Sequence, residues 1–207
     1  MTLITFIQLF IVCLLGAMSP GPSMIVVINN AVFKNRFHGY LTSIGHGLGI
    51  LIYAILAILG LGYLIDNYPF IFNLFHFLSS LILIYLGLKT FLSQKKIEIN
   101  KDTIKHKNIS FLQGFGISFF NPKIFIWFIV IYSQFMLPNT TMIYDLILII
   151  TAGVVDMGWY IFLTIIVTTS SALKFINRQI HIFKKLIGVI FMFLGSVLFM
   201  KSLVIFS

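Results

Sequence analysis

Formal charge is scarce in this 207-residue sequence: 9% of its residues are Asp, Glu, Lys or Arg, against roughly 25% in an ordinary soluble domain. Acidic residues are rarer still, five in all. With 59% of residues hydrophobic and a mean hydropathy of +1.07, a soluble fold would have nowhere to bury its apolar surface. Cysteine is equally scarce. A lone Cys13 excludes an internal disulfide, a CxxC pair and a thiolate metal cage, and reads as a small membrane-facing hydrophobe. HExxH, GxSxG and P-loop patterns are missing too, so neither an enzyme nor a cofactor is expected. No basic residue precedes the apolar stretch Leu3 to Leu15, which argues for a retained helix rather than a secretory signal.

What is present is long charge-free runs. Residues 1–33, 37–65, 67–88, 124–144 and 157–173 contain no Asp, Glu, Lys or Arg. A helix needs about 20 apolar residues to cross a hydrocarbon core of roughly 30 Å, and Pro, Gly and charge divide the chain into six such spans. They are predicted near 3–29, 40–62, 70–88, 111–136, 142–168 and 184–204. Helices are expected throughout, because lipid offers no partner to an unpaired backbone group and a barrel would show short alternating strands. The fold class is therefore an all-α integral membrane protein.

The net charge of +9 finds its explanation in topology rather than nucleic acid. Lys34 and Arg36 sit in the first inter-helix loop. Lys89, Lys95, Lys96, Lys101, Lys105 and Lys107 sit in the third, and Lys174, Arg178, Lys184 and Lys185 in the fifth. Only Asp66 and Asp145 mark the second and fourth. By the positive-inside rule the odd loops face the cytoplasm and both termini lie outside, with Tyr63, Tyr68, Tyr132 and Tyr144 near the outer boundary. The Lys95 to Lys107 run reads as a solvated loop.

Six spans divide into a first three-helix repeat over 1–93, a basic loop over 94–110 and a second repeat over 111–207. A three-span unit enters one face and leaves by the other, so two copies must be inverted. Each half contains an interruption: Ser19-Pro20-Gly21-Pro22 in span 1 and Asn121-Pro122-Lys123 in span 4. Pro20 lies 14 residues from Lys34, about 21 Å at the helical rise and hence near mid-membrane. Proline deletes backbone hydrogen bonds and glycine loosens the joint. A plain kink is one reading; the matched pair favours the other, in which broken helices face a central polar site, as in inverted-repeat transporters.

Lys123 and Asp156 are the formal charges deepest in the bilayer. Each costs on the order of 3 kcal/mol to insert, and such residues face a cavity or each other. The expectation is a Lys123–Asp156 pair that an α-amino acid would exchange, ammonium to Asp156 and carboxylate to Lys123 or a half-helix N-terminus. A proton carrier and a purely structural pair are the competing readings of Asp156. His46, set among Gly45, Gly47 and Gly49, reads as a packing residue near the cytoplasmic face, with a proton relay as the sharper alternative. Trp159, three residues beyond Asp156, either walls the site or faces lipid. Asn29, Asn30, Gln113 and Ser118 are further polar candidates.

Taken together, Ser19-Pro20-Gly21-Pro22, the glycines from Gly39 to Gly49, Gly114-Phe115 with Asn121-Pro122-Lys123, and Asp156 with Trp159 give the chain an end-to-end resemblance to the lysine exporter (LysE/RhtB) family of amino-acid efflux carriers. The resemblance implies export of amino acids or their derivatives across a bacterial plasma membrane, proton coupling, and a dimer of carriers. It transfers functional positions to Pro20, Gly21, Pro22, Asn121, Pro122, Lys123 and Asp156. A metal or inorganic-ion exporter of similar architecture is the alternative, but His38, His46, His76, His106 and His181 are scattered and the intramembrane acid is single.

Overall fold

The computed structural model describes residues 1–93, 109–137, 140–168 and 170–206, without the side chains at 122, 170–177 and 204–206. Most of the basic loop expected over 94–110 therefore lies outside the described residues. Among the described residues eight α-helices follow in order: α1 (Leu3–Met18), α2 (Pro22–Asn29), α3 (Arg36–Asn67), α4 (Pro69–Leu92), α5 (Ser110–Phe119), α6 (Pro122–Phe135), α7 (Met142–Val167) and α8 (Ser170–Phe206). No strand occurs among the described residues.

Local chemistry sets the boundaries. Thr2, Asn35, Asn121 and Thr141 cap α1, α3, α6 and α7, each accepting a backbone N–H from the first turn. Pro22, Pro69 and Pro122 open α2, α4 and α6, where a missing N–H costs nothing. At the end of α2 the chain makes a π turn over Asn30–Lys34, and the Asn35 N–H donates to the Asn30 carbonyl at 3.3 Å.

Four stretches are long and apolar enough to cross a membrane: α3, α4, α7 and residues 178–203 of α8. The other two spans are bent. Leu3–Met18 and Pro22–Lys34 meet at 67°, and Ser110–Phe119 and Lys123–Phe135 at 57°, so each pair counted as one brings the total to six. The interruptions read from the sequence are thus full breaks, with separate half-helices on either side.

The helices pack along glycine seams of two kinds. In one, α3 lies against α5 so closely that a Cβ on Gly45 would run into the Phe111 carbonyl, and one on Gly114 into the Thr42 carbonyl. Gly47 of α3 meets α7 in the same way, with its Cβ 2.8 Å from Met157 Cβ. In the other, α4 and α8 nearly touch by backbone: a Gly87 Cβ would stand 2.7 Å from Met192 N, and a Gly188 Cβ 2.7 Å from the Gly87 carbonyl. Small residues permit this approach where lipid supplies no hydrophobic drive.

A seam of this tightness makes a prediction. Gly114→Ala forces backbone rather than a side chain to move, and overpacking of that order costs about 1–3 kcal/mol. Its melting midpoint in detergent should fall by several degrees. Gly116→Ala on the same helix, where a Cβ meets nothing within 4 Å, should match or exceed the parent, since Ala favours helix by about 1 kcal/mol. Equal midpoints for the two variants would refute the seam.

Candidate functional site

Buried apolar side chains form two clusters. The larger joins α1, α3, α6 and α7 around Leu9, Ile50, Phe128, Tyr132 and Leu148; the smaller joins α2, α7 and α8 around Val27, Ile28, Tyr160 and Leu163. A cavity of about 50 Å³ is lined by residues of both, including Tyr132 of the first and Tyr160 of the second. Both helix breaks open onto it.

The breaks touch. Lys123 Nζ donates to the Ser19 carbonyl at 3.0 Å and to Ser19 Oγ at 2.6 Å, supplying a donor where the α1 ladder ends. Asn121 Nδ2 donates to Ser23 Oγ at 3.3 Å, while its Oδ1 accepts the Lys123 N–H at 3.0 Å. Gly21 lies against the same ammonium: a Cβ there would stand 3.5 Å from Lys123 Nζ. Because Pro22 and Pro122 begin their helices here, the N-termini of α2 and α6, the positive ends of two half-helix dipoles, converge on one place.

Across the cavity stands the carboxylate. Asp156 is 6% exposed and His46 1%, and His46 Nδ1 lies 2.6 Å from Asp156 Oδ2. This is the correction to the expected Lys123–Asp156 pair: Asp156 is bonded to His46 of α3, and Lys123 to Ser19. All four side chains nevertheless line the same cavity. His46 therefore does more than pack: it bonds the buried carboxylate and lines the cavity. Its ring packs edge-on against Tyr160, with centroids 4.6 Å apart, and its Nε2 has no hydrogen-bond partner. Polar Ser19, Asn121, Lys123, His46 and Asp156 line the cavity together with apolar Ile50, Trp127, Phe128 and Tyr132.

Several sequence candidates sit elsewhere. Trp159 borders a different cavity with Met24, Leu163 and Ile180, its Nε1 buried without a partner, so the wall expected of it belongs to Trp127. Trp127 packs its indole on Gly16, where a Cβ would meet the ring at 2.6 Å. Pro20 faces a neighbouring cleft, and Pro22 is exposed. Of Pro122, the backbone opens α6. Asn30 and Gln113 belong to a seam away from the cavity. There Asn30 Nδ2 donates to Thr42 Oγ1 (2.8 Å) and Gln113 Oε1 (3.0 Å), and Lys34 Nζ to Ser110 Oγ (3.0 Å). Among the described residues, no three His, Cys, Asp or Glu side chains gather where they could hold a metal ion.

Residues 14–202 match the family described as LysE type translocator. The chain belongs to that family. An uncharacterized membrane protein of Haemophilus influenzae is 28% identical over 201 residues, 93% of this chain and 94% of its own length. The uncharacterized membrane protein YrhP of Bacillus subtilis is 25% identical over 187 residues, 85% of this chain and 89% of its own. A leucine efflux protein of Salmonella typhimurium is 29% identical over 119 residues, 56% of each chain. No solved structure matches. In this LysE type translocator the matched region takes in both breaks, His46 and Asp156.

Proposed function

We propose that this LysE type translocator exports small amino acids with apolar side chains across the bacterial plasma membrane in exchange for protons. One observation carries the reading: a carboxylate, an ammonium and two half-helix N-termini border a single cavity that aromatic and aliphatic side chains also line. The cargo ammonium replaces His46 at Asp156, and its carboxylate takes Lys123 from Ser19. The apolar side chain lies against Trp127 and Phe128. The His46–Asp156 pair, with Nε2 of His46 buried and without a hydrogen-bond partner, holds the exchanged proton when cargo is absent. Leucine efflux by the Salmonella relative supports the substrate class.

Two inverted repeats, 1–93 and 111–207 joined by the basic loop 94–110, provide the frame, with the termini outside. Its support is that α3 packs on α7, α4 on α8, and the α1–α2 break on the α5–α6 break, each span against its counterpart. At about 50 Å³ the cavity is too small for leucine, since a single water takes about 30 Å³ of liquid. Binding therefore requires the half-helices to part.

The test is efflux of labelled leucine, valine, threonine and lysine from loaded proteoliposomes, with and without an inward proton gradient. Release of the apolar amino acids, accelerated by the gradient, is expected. Release of none, or gradient-driven movement of lysine alone, overturns the reading.

A further inference from the structure

The central cavity shares walls with two larger spaces. A cleft of about 660 Å³ adjoins it at Lys123 and Trp127, and a crevice of about 240 Å³ adjoins it at Phe128. The cleft follows the last turns of α4, from Tyr85 to Ser93. The crevice follows the C-terminal half of α3, from Tyr53 to Leu64, and meets Phe75 near the start of α4. These two helices cross one after the other and share Tyr68 as their cap residue. Their C-terminal ends therefore lie at opposite faces, and the two spaces lead from the cavity toward different sides of the membrane.

The two partitions are neighbours in sequence. Trp127 and Phe128 follow one another on α6, and successive helical residues point about 100° apart. The indole lies over Gly16 of α1, where a Cβ would meet the ring at 2.6 Å, and against Phe191 of α8, with centroids 4.9 Å apart. The Phe128 ring stacks on Tyr53 of α3 at 5.9 Å between centroids. Both side chains are buried, 9% and 3% exposed, and the cavity of about 50 Å³ admits no amino acid until one of them moves. Their helix is placed to move them. The break parts α6 from α5 at a bend of 57°, so turning α6 about its own axis tears no helical ladder.

The geometry points to α6 as a gating helix, with Trp127 the door between cavity and cleft and Phe128 the door between cavity and crevice. Because one helix bears both side chains, a single turn opens one door while the other stays shut, and the cavity meets the two faces of the membrane by turns. The inference deepens the export reading and rests on the cavity as the place where cargo is held. It names the side chains that decide which face the cargo can reach.

The one native thiol serves as the reporter. Cys13 lines the cavity but neither larger space, and is 7% exposed. Sulfonatoethyl methanethiosulfonate, which does not cross lipid, is added to membrane vesicles of either orientation, and modification of Cys13 in the full chain is followed by mass spectrometry. Trp127→Ala should speed the reaction from one face by about tenfold or more, equivalent to removing a partition that costs about 1.4 kcal/mol to open. From the other face it should stay near the parent's rate. Phe128→Ala should show the same preference for the opposite face. Ile124→Ala enlarges the cavity without touching either larger space, and should speed neither. If the alanine variants fold poorly, Gly16→Ala, which displaces the indole by adding an atom, and Phe128→Leu should keep the same division between faces. Acceleration of both door variants from one face, from both faces alike, from neither, or by one variant alone overturns the inference, as does an equal response from Ile124→Ala. Labelling involves no cargo, so the two readings fail separately. A carrier that releases none of the tested amino acids but keeps this division between faces refutes the function and upholds the doors.

Discussion

Asp156→Asn should reduce leucine efflux at least tenfold while leaving membrane insertion and the amount of folded protein near those of the parent. Asp156 is 6% exposed and its Oδ2 lies 2.6 Å from His46 Nδ1. Asn is nearly isosteric, and its carbonyl oxygen still accepts from that nitrogen. What disappears is the charge. A hydrogen bond to a charged group contributes about 1.5–3 kcal/mol, and each 1.4 kcal/mol is a factor of ten. Leucine–leucine exchange without a proton gradient separates the two duties assigned to this carboxylate. If Asp156 binds the cargo ammonium, both exchange and gradient-driven efflux collapse in the Asn variant. Exchange that persists while net efflux is lost would confine Asp156 to the proton. His46→Gln should preserve exchange and lose the gradient's acceleration. Unchanged net efflux in Asp156→Asn would end the site reading altogether.

The second large effect is expected at Lys123. Its ammonium bonds the Ser19 carbonyl and hydroxyl, and so ties one break to the other. Lys123→Met deletes the donor and leaves the buried Ser19 carbonyl without it, at a cost of about 1–3 kcal/mol. A lower melting midpoint in detergent and efflux reduced at least tenfold are expected together. The double variant with Ser19→Ala tells positioning from general damage. Residues in one hydrogen-bond network are not additive, so Ser19→Ala should add little once Lys123 is gone. Full additivity of the two losses would show that the tie does not matter.

Much of the frame was legible because lipid imposes it. Long charge-poor runs, divided by Pro, Gly and charge, pointed to six spans, since a charge inside hydrocarbon is expensive wherever it falls; the structure has four unbroken ones and two bent pairs. The breaks were legible for a similar reason: Pro20, Pro22 and Pro122 cannot continue a helical ladder. The pairing at the site was not. Lys123 and Asp156 are the deepest charges in the sequence, yet Asp156 found its partner on α3, and sequence spacing does not say which helices adjoin. His46 read as a packing residue because sequence spacing does not show that α3 lies against α7, where Asp156 is found. Trp159 shows the limit of periodicity. At roughly 100° per residue, position i+3 lies about 60° to one side of Asp156 and i+4 about 40° to the other. The cavity takes the second, so Tyr160 lines it and Trp159 does not. Trp127 carried no signal of its own, being one apolar residue in an apolar helix.

The glycine seams have a mechanical consequence. Helices joined backbone to backbone cannot slide past one another without tearing many contacts at once, so α3 with α5 behaves as one plate and α4 with α8 as another. Between the plates lies α6, severed from α5 at the break and in contact with both α3 and α4, with Trp127 packed against Phe191 of α8. Hinging along that line disturbs less packed surface than bending either plate. The carrier's moving part is then the gap between two stiff slabs, and its working stroke would be read most directly as a change in the distance from Lys89 on one slab to Ser110 on the other.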